Sequence, residues 1–201
     1  MDYKIILSVL SIAIQLTGFF IYFRGVYKGK TKPHAFTWLV WTILSTIGFF
    51  ATLTSEGYAV AWILGINVLG CGTTSAIGFY QKRVDYDKYD WLALIGALVG
   101  TLLWYITNNA LYAVILISIS DFIAITPTLR KAYKFPFEEN LESFLIGIIF
   151  YIFAIIALES FELTNWLYPA SIIFADLVLI GIIIIQRRKK VLLNSSFEHR
   201  V

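Results

Sequence analysis

Seven long apolar runs, set apart by short polar or charged breaks, dictate what this chain can fold into. They are roughly 5–23, 35–53, 58–80, 91–107, 110–128, 143–161 and 165–186. Each is near the ~20 residues with which a helix crosses a bilayer, the fourth being short. Apolar residues make up 59% of the chain and charged ones 14%, with a mean hydropathy of +0.76. A soluble domain of 201 residues has no core large enough to hide that much apolar surface, so the expected solvent is a membrane. In lipid no backbone polar group can stay unpaired, so the runs should be helices. Barrel strands would be about half as long and would alternate polar with apolar, which these runs do not.

The positive charges give an orientation. Arg24, Lys28, Lys30 and Lys32 lie between runs one and two, and Lys82, Arg83 and Lys88 between three and four. Arg130, Lys131 and Lys134 lie between five and six, and Arg187, Arg188, Lys189, Lys190 and Arg200 follow run seven. Of the 16 lysines and arginines only Lys4 falls on the other side. Cytoplasmic loops are the basic ones, which predicts an external amino terminus and a cytoplasmic carboxyl terminus in a multi-pass cell-membrane protein. The opposite face is thin and mildly acidic, with Glu56, Glu159 and Glu162, and turns at Asn108-Asn109. Ile21–Tyr27 offers no small-residue cleavage site, so the first run is expected to be a crossing and not a leader.

The chain also repeats itself. RGVYKGKTKPHAFTWLVW (Arg24–Trp41) leaves one run through a basic loop and re-enters the next at a proline and two tryptophans; RKAYKFPFEENLESF (Arg130–Phe144) repeats the basic loop and the proline. One offset aligns Gln15 with Asp121, Arg24 with Arg130 and Tyr27 with Tyr133; Pro33 meets Pro136 across a short gap. A slightly smaller offset aligns Gln81-Lys82-Arg83 with Gln186-Arg187-Arg188. Runs one to three thus match five to seven, and run four is left over. One inserted helix makes two triple-helix units parallel, related by an axis along the membrane normal. The expected division is a first repeat at 4–83, a linker helix at 84–109, a second repeat at 110–190 and a cytoplasmic tail at 191–201.

A 3+1+3 chain of this length, with KPHAFTW (Lys32–Trp38) in one half and DFIAITPTLRKAYKFPFEEN (Asp121–Asn140) in the other, resembles the SWEET / PQ-loop transporter superfamily. Bacterial vitamin-uptake proteins of the nicotinamide riboside type share that plan, and the likeness is to the bacterial uncharacterised branch more than to plant sugar carriers. The resemblance implies an all-α integral membrane protein of the bacterial inner membrane with seven transmembrane helices. It implies transport of a small solute between two parallel three-helix bundles. The chain departs from the family pattern twice: Gln15 follows Ile14 rather than a proline, and run one has no proline to match Pro127.

Four polar residues share one depth. Asp121 lies nine residues before Arg130, roughly 13 Å into the membrane at ~1.5 Å per residue. Gln15 lies as far from Arg24, and Asp176 stands ten residues before Gln186, about 15 Å by the same rise. Asn67 lies near the middle of run three. Gln15, Asn67, Asp121 and Asp176 therefore form a midplane layer from runs one, three, five and seven, where transporters of repeated architecture hold substrate. Structural roles exist for each. Gln15 and Asn67 can bond across helices, Asp121 can join Ser118, Ser120 and Thr126, and Asp176 can pair with a tyrosine or serine. Neither aspartate has a basic partner at its depth, which leaves open a carboxyl that takes up protons or one that faces a cationic solute.

Pro127 removes a helical hydrogen bond six residues after Asp121 and is the candidate hinge; Pro33 and Pro136 are expected to open helices two and six. Gly65, Gly70, Gly72 and Gly78 suit close helix approach. Trp91 and Trp166 read as interfacial residues, Trp38 and Trp41 as packing residues on one helix face, and Trp62 and Trp104 as packing residues first, with lining of an external vestibule as the alternative. One cysteine, Cys71, and two separated histidines, His34 and His199, predict neither a disulfide nor a metal centre. No catalytic constellation is visible, so no enzyme activity and no cofactor are expected. A retinal protein would need a lysine in the last helix, and 165–186 has none. The expected partners are the lipid bilayer and a small-molecule solute (sugar, vitamin or nucleoside, or amine). No nucleic acid is expected, and a homo-oligomer is left open. The competing function is a non-transporting receptor or assembly protein of the same fold.

Overall fold

The computed structural model describes residues 3–53, 58–82, 88–107, 110–156 and 161–198. Glu56, Arg83, Asn108, Asn109, Glu159, His199 and Arg200 lie outside the described residues, as do the side chains of Lys4 and Trp104. Seven helices fill the described chain: α1 Tyr3–Tyr27, α2 Ala35–Leu53, α3 Tyr58–Gln81, α4 Lys88–Thr107, α5 Ala110–Lys134, α6 Leu141–Ile156 and α7 Leu163–Glu198. The protein is all-α, with no strand among the described residues. Each apolar run has its helix. Among the described residues two helical stretches are long and apolar enough to cross a membrane, Val9–Tyr27 and Asn165–Leu192, with mean hydropathies of 1.6 and 2.3. Outward faces carry exposed Phe20, Leu69, Leu102, Ile106, Phe174 and Leu177, a distribution foreign to a water-facing surface.

Local chemistry sets the helix ends. Gly29 adopts a left-handed φ of 69° after α1. Its N–H bonds Val26 O at 2.9 Å and the Lys30 N–H bonds Gly25 O at 3.0 Å, the paired bonds of a glycine C-terminal cap. Pro136 does not open helix six. Pro136 opens a short 3₁₀ turn, Pro136–Glu138, and α6 begins only after Asn140. There the Asn140 Oδ1 accepts from Ser143 N at 3.2 Å, a side-chain cap that proline cannot supply. Asn140 Nδ2 also donates to Ile21 O at 3.1 Å, tying the start of α6 to α1. Pro33 lies two residues before α2 and is buried. Helix seven runs on to Glu198, past the end expected near residue 186. Its basic residues find partners instead of a free tail: Arg187 donates to Pro136 O and Glu139 O, and Lys190 to Lys134 O.

The helices pack in a ring, α1–α3–α2–α5–α7–α6 and back to α1, and α4 rests outside on α2 and α5. Exchanging α1, α2 and α3 for α5, α6 and α7 maps this ring onto itself. The main core joins Tyr22, Trp38, Cys71, Ile125, Phe144 and Leu179 across the ring. A second core of Phe36, Val40, Leu94 and Ala124 seats α4. Of the four glycines on α3, Gly70 faces the Phe19 ring, 2.2 Å from where a Cβ would stand, and Gly78 is the one set against backbone. A Cβ there would lie 3.0 Å from Ala35 Cβ and 3.1 Å from both Ala35 Cα and Pro33 O, where backbone must yield. Gly78→Ala is expected to cost about 1–3 kcal/mol of stability through forced separation of α2 and α3. A thermal transition in micelles equal to that of the parent would contradict this. Gly72, whose nearest neighbour would be Thr42 Cγ2 at 3.5 Å, has room for a methyl.

Candidate functional site

The ring of six helices encloses a cavity of about 140 Å³. Gln15 of α1, Asn67 of α3, Asp121 of α5 and Asp176 of α7 all line it. The structure thus brings these four residues to one cavity.

The two sides of the cavity differ in chemistry. On the side of α1–α3 the polar groups satisfy each other. Gln15 Nε2 donates to Asn67 Oδ1 at 3.2 Å, and Asn67 Nδ2 donates to Ser45 Oγ at 2.7 Å. Cys71 Sγ lies 3.7 Å from Asn67 Oδ1. This is the cross-helix bonding expected of neutral residues, except that Gln15 Oε1 is left buried without a partner. On the other side stand the carboxyls. Asp121 accepts a hydrogen bond from the side chain of Trp41. Asp176, 5% exposed, takes no hydrogen bond among the described residues, and Gly147 of α6 leaves room for it: a Cβ there would stand 3.3 Å from Asp176 Oδ2. The two carboxyls are close enough to feel each other's charge. No lining side chain is basic.

The serine and threonine network considered for Asp121 does not form. Ser118, Ser120 and Thr126 each turn their hydroxyl back onto a carbonyl one turn earlier in α5, those of Val114, Leu116 and Phe122. This leaves the Asp121 carboxyl to Trp41 and the cavity. The offsets that align the two halves set Gln15 against Asp121 and Cys71 against Asp176, so both carboxyls belong to the second half.

Aromatic rings form much of the wall. Trp38 Nε1 donates to Tyr22 Oη at 3.2 Å, and Trp38 meets Trp41 edge-on with centroids 5.0 Å apart. Phe144, Phe150, Tyr151 and Tyr168 complete it from α6 and α7. Trp38 and Trp41 were expected to pack, and they do so while lining the site. Tyr22, Tyr151 and Tyr168 were missed: nothing marks them among 12 tyrosines until the helices are placed. Trp62 is exposed on the outer surface and does not line the cavity. Pro127 is buried inside α5, below Asp121.

Toward the basic loops the cavity is closed by Tyr22 and Trp38 and, beyond them, by ion pairs. Lys131 of α5 pairs with Glu139, both side chains nearly inaccessible, and also donates to Lys32 O. Lys32 pairs with Glu138, and its own N–H reaches Glu138 O at 2.9 Å. Burial pushes the Glu139 carboxyl above its usual range, and the Lys131 ammonium opposes that shift. Arg130 pairs with the buried Asp90 at the start of α4, where His34 Nε2 also lies 3.6 Å from the carboxylate. These basic residues, read from sequence as topology signals and headgroup contacts, therefore also lock the two loops together. Among the described residues no cluster of histidine, cysteine, aspartate or glutamate has the arrangement of a metal centre. Comparison with family models, with curated proteins and with solved structures gives no match for this chain.

Proposed function

We propose that this chain is a multi-pass membrane transporter or facilitator of a small polar solute. In this reading all seven helices cross the bilayer, as two parallel three-helix units, α1–α3 and α5–α7, joined by α4. The amino terminus is outside and the basic loops are cytoplasmic. The observation that carries the reading is the cavity between the units, lined by one midplane polar residue from each of α1, α3, α5 and α7. The ring order, which repeats when one unit is exchanged for the other, supports the duplicated plan, and such repeats transport by rocking about a central site. The locked basic loops fit a state closed to the cytoplasm.

The test is solute entry into vesicles containing the purified chain, against a panel of sugars, nucleosides and amines. Entry above that of protein-free vesicles supports transport. A folded protein that admits none of them would favour the receptor or assembly role. Pro127→Ala tests the hinge: it is expected to leave solute affinity unchanged and to lower turnover several-fold, because it restores a hydrogen bond in α5 at the point of bending. Unchanged turnover would remove Pro127 from the mechanism.

A further inference from the structure

We propose that the cavity takes a small protonated amine, an ammonium group on a ring-sized apolar body with no anionic group of its own. This rests on reading the cavity as a solute site and names the class of solute.

The inference comes from sorting donors and acceptors. Each side-chain amide and indole at the cavity already donates within the protein, and one N–H apiece on Gln15 and Asn67 remains beyond those bonds. Gln15 donates to Asn67, Asn67 to Ser45, Trp38 to Tyr22 and Trp41 to Asp121. Unanswered acceptors remain: the carboxyl of Asp176, the lone pairs of Asp121 not used by Trp41, and Gln15 Oε1. An ammonium has three donors and no acceptor, which is the complement of that set. Sugars and nucleosides bring as many acceptors as donors, and only the remaining amide N–H of Gln15 and of Asn67 and the tyrosine and serine hydroxyls are left to answer them, none of them charged.

Charge points the same way. Two buried carboxyls share one cavity with no basic lining residue, and a buried carboxylate needs a countercharge or a proton. Lys131, beyond the floor, is committed to Glu139. A cation entering the cavity supplies the countercharge. An amino acid would bring a third carboxylate beside the two already present, and a phosphorylated solute would likewise add an anion. The walls suit the apolar body: the faces of Trp38, Trp41, Tyr151 and Tyr168 attract cations as well as rings. The volume, about 140 Å³, is near the ~150 Å³ of a protein cavity known to admit benzene.

The test is titration calorimetry on the full chain in lipid nanodiscs, with benzylamine, benzyl alcohol, benzoate, glucose and uridine as probes, followed by vesicle entry of any probe that binds. Benzylamine is expected to bind about tenfold or more tightly than benzyl alcohol, the charge-assisted contact being the difference, and benzoate not to bind. Asp176→Asn should erase that preference, and Asp121→Asn should reduce it. If Asp176→Asn fails to fold, the amine-to-alcohol ratio on the parent decides. Equal binding of amine and alcohol, or preferred binding of glucose or uridine, overturns the amine class and leaves the solute site standing. A folded protein that binds no probe overturns both. Aspartate-dependent amine binding without entry into vesicles keeps the class and overturns transport.

Discussion

Lys131→Met is expected to destabilise the protein by about 3–5 kcal/mol at neutral pH, because it strands Glu139 as an unpaired buried charge. Both side chains of the pair are almost wholly inaccessible, so water cannot take the place of the lost ammonium. The bond from Lys131 to Lys32 O is lost as well. Lys131→Met/Glu139→Gln should recover much of the loss, since a pair replaced together leaves no stranded charge. The pH dependence has a definite sign. Burial already raises the Glu139 carboxyl, and among its charged neighbours Lys131 and Arg187 hold it down while Glu138 pushes it up. Without Lys131 it rises further above its unfolded value. A raised carboxyl favours the fold fully below the unfolded pKa and loses that contribution as pH rises through the folded one. The deficit of Lys131→Met is therefore largest at neutral pH and shrinks in mild acid. Denaturant titrations in micelles at both pH values measure it; a deficit under about 1 kcal/mol, the size of an exposed pair, would mean that the lock is open to water.

Asp121→Asn/Asp176→Asn is expected to cut initial solute entry by about 100-fold or more. A hydrogen bond to a charged group contributes about 1.5–3 kcal/mol, and each 1.4 kcal/mol is about tenfold. The two sites should not weigh equally. Asp121 already accepts from Trp41, whereas Asp176 has no donor among the described residues, so Asp176→Asn should cost more. Asparagine keeps the shape, and a melting transition at or above that of the parent would show that the loss lies in the site. Entry at parental rates in the double variant would end the case for a midplane site and make the aspartates packing groups.

The helices were readable because each is one long apolar run bounded by polar or charged breaks. Run 35–53 coincides with α2, and 58–80 with α3 to within a residue. The site was partly readable for a related reason: aspartate inside an apolar run is costly enough to stand out, and depth can be counted from the basic loops. Other features follow from tertiary contacts that no local pattern encodes. Tyr151 and Tyr168 look like any tyrosine of an apolar helix, and only the docking of α6 and α7 turns them inward. The start of α6 after Asn140, and not at Pro136, depends on Asn140 reaching both Ser143 and Ile21. The continuation of α7 depends on Arg187 and Lys190 finding carbonyls of the α5–α6 connection and the end of α5. The lock at Lys131 pairs α5 with a loop residue whose burial a charge count cannot reveal.

The two halves of the frame are interchangeable in shape, yet only one carries the carboxyls. A solute with one polar end can therefore lie in the cavity only one way round, head toward α5 and α7, body toward α1 and α3. In the proposed transport cycle, when the halves separate it would travel with the half that holds its head. The neutral half then acts as a door, able to close over bodies of different outline, while selection rests with its charged twin.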